Sequence, residues 1–285
     1  MAASGGGALE SANIIELWPL SWHDPTRMPS LDENKALWDG SHDWGDRGDE
    51  WSIGWGGVSS QWWTTVFPRF QGYLPVRTVL EIGPGFGRWT RYLKDLCSEL
   101  VIVDISAMAI DHCKERFAMH PHVSAHVNDG LSLAMVEDRT IDLVFSFDSL
   151  VHVEANVMDA YLEEIARVLS PNGVAFVHHS NLGAYPAGSY EPGATHWRGQ
   201  SVSAASVESA SERHGLSCIS QEVLAWANNQ VLNDCISVIT RRGSRWDRPN
   251  VIRENASFTQ EIMLARRRSK LYPPSGQDIV FSISR

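Results

Sequence analysis

Three groups of residues in this 285-residue chain have the types and spacing to do chemistry. The first is Glu81-Ile-Gly83-Pro84-Gly85-Phe-Gly87, set directly after the apolar run Thr78–Ile82 and opening a helical pattern. Glycines let the chain turn tightly there and let a ligand approach bare backbone, because no β-carbon intervenes. The helix beyond offers unpaired N–H groups and the positive end of its dipole. The second group is polar and follows later apolar runs: Asp104 with Ile105, then Asn128-Asp129-Gly130. The third holds histidines, in Phe147-Asp148-Ser-Leu-Val-His152-Val-Glu154 and in His178-His179-Ser180-Asn181. Imidazole is the usual proton acceptor for a hydroxyl near neutral pH. A crevice for a nucleotide-like ligand beside a candidate base is the chemistry these residues describe.

Such groups meet only if the elements between them alternate. Thr78–Ile82 (TVLEI), Leu100–Asp104 (LVIVD), Val123–Asn128, Ile141–Phe147 (IDLVFSF) and Val174–His178 (VAFVH) read as strands. Arg88–Cys97, Ala107–Ala118 and Asn156–Leu169 read as the helices between them. The last carries Val157, Tyr161, Ile165 and Val168 on one face, and Pro171–Gly173 stops it. Ser203–Gly215 is a further helix, with strands at Leu216–Trp226 and Cys235–Thr240. Strands alternating with helices predict βαβ units and a parallel sheet with helices on both faces. Ligands in such sheets sit at the carboxyl ends of the strands, where all three groups fall.

A dinucleotide site would read G-x-G-x-x-G. Here the spacing is G-x-G-x-G, with Glu81 two positions ahead. The segment resembles motif I of the class I S-adenosylmethionine (SAM) dependent methyltransferases. Asp104 matches the acidic residue that in that family binds the ribose hydroxyls. Asn128-Asp129-Gly130 resembles the family's adenine-edge motif, Ser146-Phe147-Asp148 its motif IV, and Pro171-Asn-Gly173 the turn usually written L-x-P-G-G. The resemblance runs from about Thr78 to Thr240. It implies a Rossmann-like seven-stranded sheet with SAM as cofactor, held by Glu81, Gly83, Pro84, Gly85, Asp104, Ile105, Asn128, Asp129, Gly130 and Phe147. A bare tight turn and an NAD-dependent enzyme are the alternatives for the glycines, and the companion segments fit both worse.

Methyl transfer needs the acceptor in line with the methyl carbon, and a base only where the acceptor must lose a proton. His152 is the first candidate for that base and His179 the second, with His178 and Asp148 beside them. His178 also reads as a hydrogen-bonded core residue that continues its strand. A metal held by Asp148, His178 and His179 is disfavoured, since a hard cation prefers carboxylates. His196-Trp197-Arg198 is a further candidate for acceptor contact.

Eight of the twelve tryptophans precede Thr78, too much aromatic surface for a disordered tail. The chain therefore divides into a disordered tail over 1–12, an aromatic cap or lid over 13–75, the SAM domain over 76–242 and a C-terminal extension over 243–285. Ser59–Phe70 reads as a helix with Trp62, Val66 and Phe70 on one face. Trp55, Gly57 and Gln61 are expected nearest the cofactor, closing over it. Glu50–Trp63 and His178–Gly183 weakly resemble bacterial methyltransferases of surface-glycan and deoxysugar pathways. A net charge of −10 argues against a general nucleic-acid binder. No apolar run reaches the ~18 residues of a membrane span, and no secretory signal pattern opens the chain. The four cysteines form no metal spacing and suit reduced thiols in a cytoplasmic protein. The expected function is O-methylation of a hydroxyl on a sugar or glycan-like small acceptor. Methylation of another metabolite at O, N or C, or a non-catalytic SAM-binding scaffold, are the other readings. The oligomeric state is left open, a homodimer included.

Overall fold

Thr78–Ile82 is buried along its whole length, as a continuous apolar run must be when both faces of its sheet are covered. It forms β1 of a computed structural model that describes residues 30–41, 44–45, 48–186, 188–190, 197–226 and 231–271. The other strands are β2 (Glu99–Asp104), β3 (Val123–Val127), β4 (Ile141–Ser146), β5 (Leu169–Ser180), β6 (Leu216–Leu224), β7 (Asp234–Arg241) and β8 (Ile252–Asn255). They form one eight-stranded sheet in the order β3-β2-β1-β4-β5-β7-β6-β8. Leu80 faces Val101 of β2 on one side and Val144 of β4 on the other, both in parallel register. Only β7 runs antiparallel to its neighbours, so its first residue, Asp234, lies opposite Ser180 at the carboxyl end of β5.

The helices are α1 (Leu31–Ala36), α2 (Val58–Gln61), α3 (Thr90–Leu93), α4 (Ala107–Arg116), α5 (Ala155–Val168), α6 (Ala204–Arg213) and α7 (Phe258–Leu271). Strand alternation sorts the core into two layers. Val79, Phe145 and Phe176 point to one face, against Trp62, Val66, Phe70, Trp89 and Phe258. Leu80, Val144, Ala175 and Val177 point to the other, against Tyr161, Leu162 and Ile165 of α5 and Val207 of α6.

Three expectations change on folding. The sheet has eight strands, because Ile252–Asn255 of the C-terminal extension pairs in parallel with β6 and extends its edge. Ser59–Phe70 is a succession of short turns, α2, a π turn over Trp62–Val66 and a 3-10 turn over Phe67–Arg69. Pro68 has no N–H to give a continuous helix. The four-residue spacing still buries Trp62, Val66 and Phe70 completely, and cutting a buried ring of this kind to alanine costs about 3–5 kcal/mol. Finally, β5 begins at Leu169, directly after α5, so Pro171–Gly173 lies inside the strand where its pairing with β4 shifts register. A proline is tolerated at such an irregularity because no ladder bond needs its nitrogen.

Candidate functional site

The turn after β1 holds three left-handed glycines, Gly83, Gly85 and Gly87. Gly83 has φ +71° and Gly85 φ +53°. A β-carbon on Gly83 would stand 1.9 Å from Ser149 Oγ, and one on Gly85 would stand 2.9 Å from the Trp44 ring. Both the backbone conformation and the space therefore demand glycine. Pro84 is buried between them, and its carbonyl accepts the Gly87 N–H at 3.0 Å. Glu81 is buried beneath the turn; Thr90 Oγ1 donates to its Oε2 at 2.5 Å. Burial pushes the Glu81 carboxyl up to about 8, against the pull of that bond. Glu81 Oε1 and Arg88 Nη1 are both buried without a hydrogen-bond partner among the described residues. Arg88 lies over the Trp89 ring, 4.6 Å from its centroid, while its Nη2 pairs with Asp148 at 2.8 Å. Unmade bonds of this kind are costly. A ligand bringing an ammonium and a carboxylate to this turn would complete both groups.

Asp104 ends β2 beside the same turn. It accepts N–H bonds from Gly85 at 3.1 Å and Ser106 at 2.9 Å, and burial still raises its carboxyl to about 6. After β3, Asn128 donates to Tyr161 Oη at 2.9 Å and leaves its buried Oδ1 without a partner among the described residues. Asp129 is exposed and folds back on its own loop, accepting from the N–H groups of Leu131 and Ser132 at 2.9 and 2.7 Å. These bonds hold its carboxyl below the usual range.

The segment lying over this crevice is residues 31–41 together with Trp44. Leu31 packs into the notch between Gly130 and Ile105. Asp39 accepts from Ser106 Oγ at 2.7 Å and the Met108 N–H at 3.3 Å, at the start of α4. A carboxylate there is favoured by the helix dipole. Trp44 stacks on Phe86 with centroids 4.3 Å apart, and Phe86 stacks in turn on His112. Trp55 and Gln61, expected nearest the cofactor, are turned elsewhere. Trp55 packs on Trp226 and Phe258 at 5.1 and 5.4 Å, and Gln61 accepts from Ser52 Oγ at 2.7 Å in the interior. Gly57 supplies the turn ahead of α2. The tryptophans at 18 and 22 and the tail over 1–12 lie outside the described residues, as does His196.

The candidate bases part company. Alternation along β5 sends His178 to the Phe176 face and His179 to the Val177 face. His179 is fully buried among protein groups: Nδ1 meets the Ser180 carbonyl at 2.8 Å and Nε2 meets Ser237 Oγ at 2.7 Å. Burial lowers its pKa to about 4. His178 Nδ1 accepts the Asp148 N–H at 3.2 Å and its Nε2 meets Asp234 Oδ2 at 3.0 Å, so both nitrogens are committed. Phe147 and Trp226 close on its ring at 4.7 and 4.9 Å.

His152 is different. It ends the 3-10 turn Leu150–His152, and its Nδ1 lies 2.8 Å from the Trp197 carbonyl. A carbonyl only accepts, so Nδ1 carries the proton and Nε2 keeps its lone pair. Burial and then the charge of Arg198 lower its pKa, which keeps the ring neutral. Trp38 of the covering segment stands 5.9 Å from the imidazole, and Asn34 donates to the His152 carbonyl at 3.4 Å. Asp148, with φ +63°, is a poor base. Burial works to raise its pKa, but the charges of Arg88 and Arg198 hold it below the carboxylate range.

Arg88, Asp234 and the covering residues Leu31, Asp39 and Trp44 carry no motif that sequence reading picked out. One signal was present: Asp234 is a lone acid at the head of the apolar run CISVIT. Among the described residues no three His, Cys, Asp or Glu side chains converge as a metal site would require, and no helix is long and apolar enough to cross a membrane.

A family model described as a methyltransferase domain matches residues 79–173, from β1 into β5. The curated relative matched is the squalestatin hexaketide synthase of a Phoma species, 32% identical over 111 residues. That stretch is 35% of this chain and only 4% of the synthase. Among solved structures, the N-methyltransferase NodS from Bradyrhizobium japonicum covers 65% of this chain and 97% of its own, with TM-score 0.50 and 18% identity. The CcbJ methyltransferase from Streptomyces caelestis covers 65% of this chain and 90% of its own, also at TM-score 0.50 and 18% identity. These two likenesses are of fold.

Proposed function

We propose that this chain, whose residues 79–173 match a methyltransferase-domain family model, uses SAM to O-methylate a hydroxyl of a sugar or glycan-like small acceptor, with His152 as the base. The observation that carries the reading is the Trp197 carbonyl on Nδ1 of His152, which leaves Nε2 unprotonated. When bound, SAM supplies an electrophilic methyl group on a sulfonium. His152 Nε2 would take the proton of the acceptor hydroxyl as its oxygen receives the methyl group released from the sulfonium sulfur.

Glu81 and Arg88 are assigned to the methionine end of the cofactor, where their unmade bonds suit an ammonium and a carboxylate. Asp104 is assigned to the ribose hydroxyls, and Asn128, Gly130 and Ile105 to the base. Asp129, whose oxygens serve its own loop, keeps a weaker claim on the adenine amino group. Residues 31–41 and Trp44 act as the lid that excludes water. The Trp38 ring beside His152 offers an apolar face on which the C–H face of a sugar packs.

The test is a screen of nucleotide sugars, simple glycosides and phenolic scaffolds with methyl-labelled SAM. Label in a sugar hydroxyl, lost in His152→Ala, is the expected result. Transfer confined to amines or carbon acids would replace the acceptor class, and undiminished transfer by His152→Ala would remove the base.

A further inference from the structure

We propose that Arg198 is a positioning residue: locked onto Asp234, it holds the Trp197 carbonyl against Nδ1 of His152 and so keeps Nε2 turned toward the acceptor. The proposal rests on the reading of His152 as base. It replaces the expectation that Arg198 touches the acceptor, because Arg198 points inward and is only 2% exposed.

Trp197 has φ +57°, a left-handed conformation that a tryptophan adopts only when its surroundings impose it. Arg198, the next residue, forms a two-pronged pair with Asp234, Nε to Oδ1 at 2.6 Å and Nη2 to Oδ2 at 2.8 Å. Both side chains are buried. Gly199 then docks on the turn that carries the imidazole. Its N–H donates to the Val151 carbonyl at 2.8 Å, its carbonyl accepts from Ser180 Oγ at 2.6 Å, and a β-carbon on it would stand 2.0 Å from the Val153 oxygen. The N–H groups of Gln200 and Ser201 close the clamp on the Glu154 carboxylate at 3.1 and 2.9 Å.

The arginine is thus the side-chain anchor of the loop on the sheet, joined there by the Ser180 hydroxyl on the Gly199 carbonyl, and the remaining bonds join the loop to residues 151–154. The same Asp234 receives His178, whose other nitrogen takes the Asp148 N–H, and Asp148 pairs with Arg88. A chain of directed bonds therefore runs from the acceptor-side loop to the glycine turn. Planar guanidinium–carboxylate pairing fixes direction as well as distance, which a lysine does not reproduce.

The test reads the His152 ring in the full chain, with no acceptor needed. Long-range 15N–1H correlation of histidine-labelled protein reports which nitrogen is protonated, and His152→Gln assigns the signal. Wild type is expected to show the Nδ1-protonated tautomer. In Arg198→Ala the ring is expected to become a tautomer mixture. Its pKa should rise, since a facing cation is lost while Asp148 and Asp234 remain. Added guanidinium should restore both, and binding of S-adenosylhomocysteine by calorimetry checks the fold. Arg198→Lys keeps the charge and decides the matter if Arg198→Ala does not fold: a mixed tautomer supports the proposal, an unchanged one overturns it. An unchanged tautomer and pKa in folded Arg198→Ala likewise overturns it. If the tautomer responds as expected but His152→Ala still turns over an acceptor, the base reading fails and the positioning role stands.

Discussion

The backbone N–H of Asp148 points at Nδ1 of His178 from 3.2 Å. An N–H only donates, so His178 accepts there and carries its own proton on Nε2, aimed at Asp234. The histidine that the strand delivers straight to the crevice is therefore spent on structure. The one on the neighbouring turn, His152, has the opposite tautomer and a lone pair to spare.

On that basis, His152→Ala is expected to lower kcat by about two to four orders of magnitude while leaving affinity for S-adenosylhomocysteine nearly intact. The base must be neutral, and burial with Arg198 lowers its pKa from the ordinary 6.5. The acid limb of the kcat–pH profile should accordingly lie below 6.5, with activity lost as pH falls through it. Steady-state kinetics across pH with an accepted substrate checks both. His179→Ala should instead show mainly a fall in thermal midpoint.

Asp104→Ala is expected to weaken SAM binding by about 1.5–3 kcal/mol, the worth of a hydrogen bond to a charged group. Calorimetry with SAM and with NAD separates the two ligand classes. A response to NAD alone would falsify the cofactor assignment.

Glu81 gives a proton-linked signature. Its folded-state carboxyl is raised to about 8 by burial, so the ligand-free protein loses stability as pH rises from the unfolded value near 4.5 toward 8. Glu81→Gln should raise the thermal midpoint at pH 8 more than at pH 5. If the cofactor's ammonium meets Oε1, binding favours the ionised acid and releases a proton. Calorimetry near pH 7 in buffers of different ionisation enthalpy should detect that release in wild type and not in the variant.

The covering segment is tested at Trp44, whose ring lies against Gly85 and on Phe86. Trp44→Ala should raise the Kd for S-adenosylhomocysteine by about 2–10-fold, the worth of an aromatic contact. Trp44→Phe should remove much of the change in tryptophan fluorescence on binding. Trp55→Phe, in the Trp226–Phe258 cluster, should leave that change in place.

Local signals determined much of this protein before any contact was known. The apolar runs had the length and composition of buried parallel strands, and β1, β2 and β4 formed where those runs stood. The glycine turn was legible because positive φ and a missing β-carbon are properties of the residue itself. Asp104 was legible because it ends a strand at a fixed distance from that turn. Which histidine keeps a lone pair was not legible. That depends on the Trp197 carbonyl, 45 positions from His152, and on Asp234, 56 positions from His178. Which ring of the cap meets the glycine turn was not legible for the same reason. Composition says that tryptophans must be covered, but whether Trp44 or Trp55 reaches Gly85 depends on how the turns of residues 48–73 pack on α7 and the sheet. The eighth strand was equally invisible: Ile252–Asn255 is exposed and mostly polar, and it becomes a strand only because β6 offers an unpaired edge. A strand buried on both faces writes itself into the sequence as a hydrophobic run, whereas edge pairing, tautomers and lids are set by groups far apart in the chain.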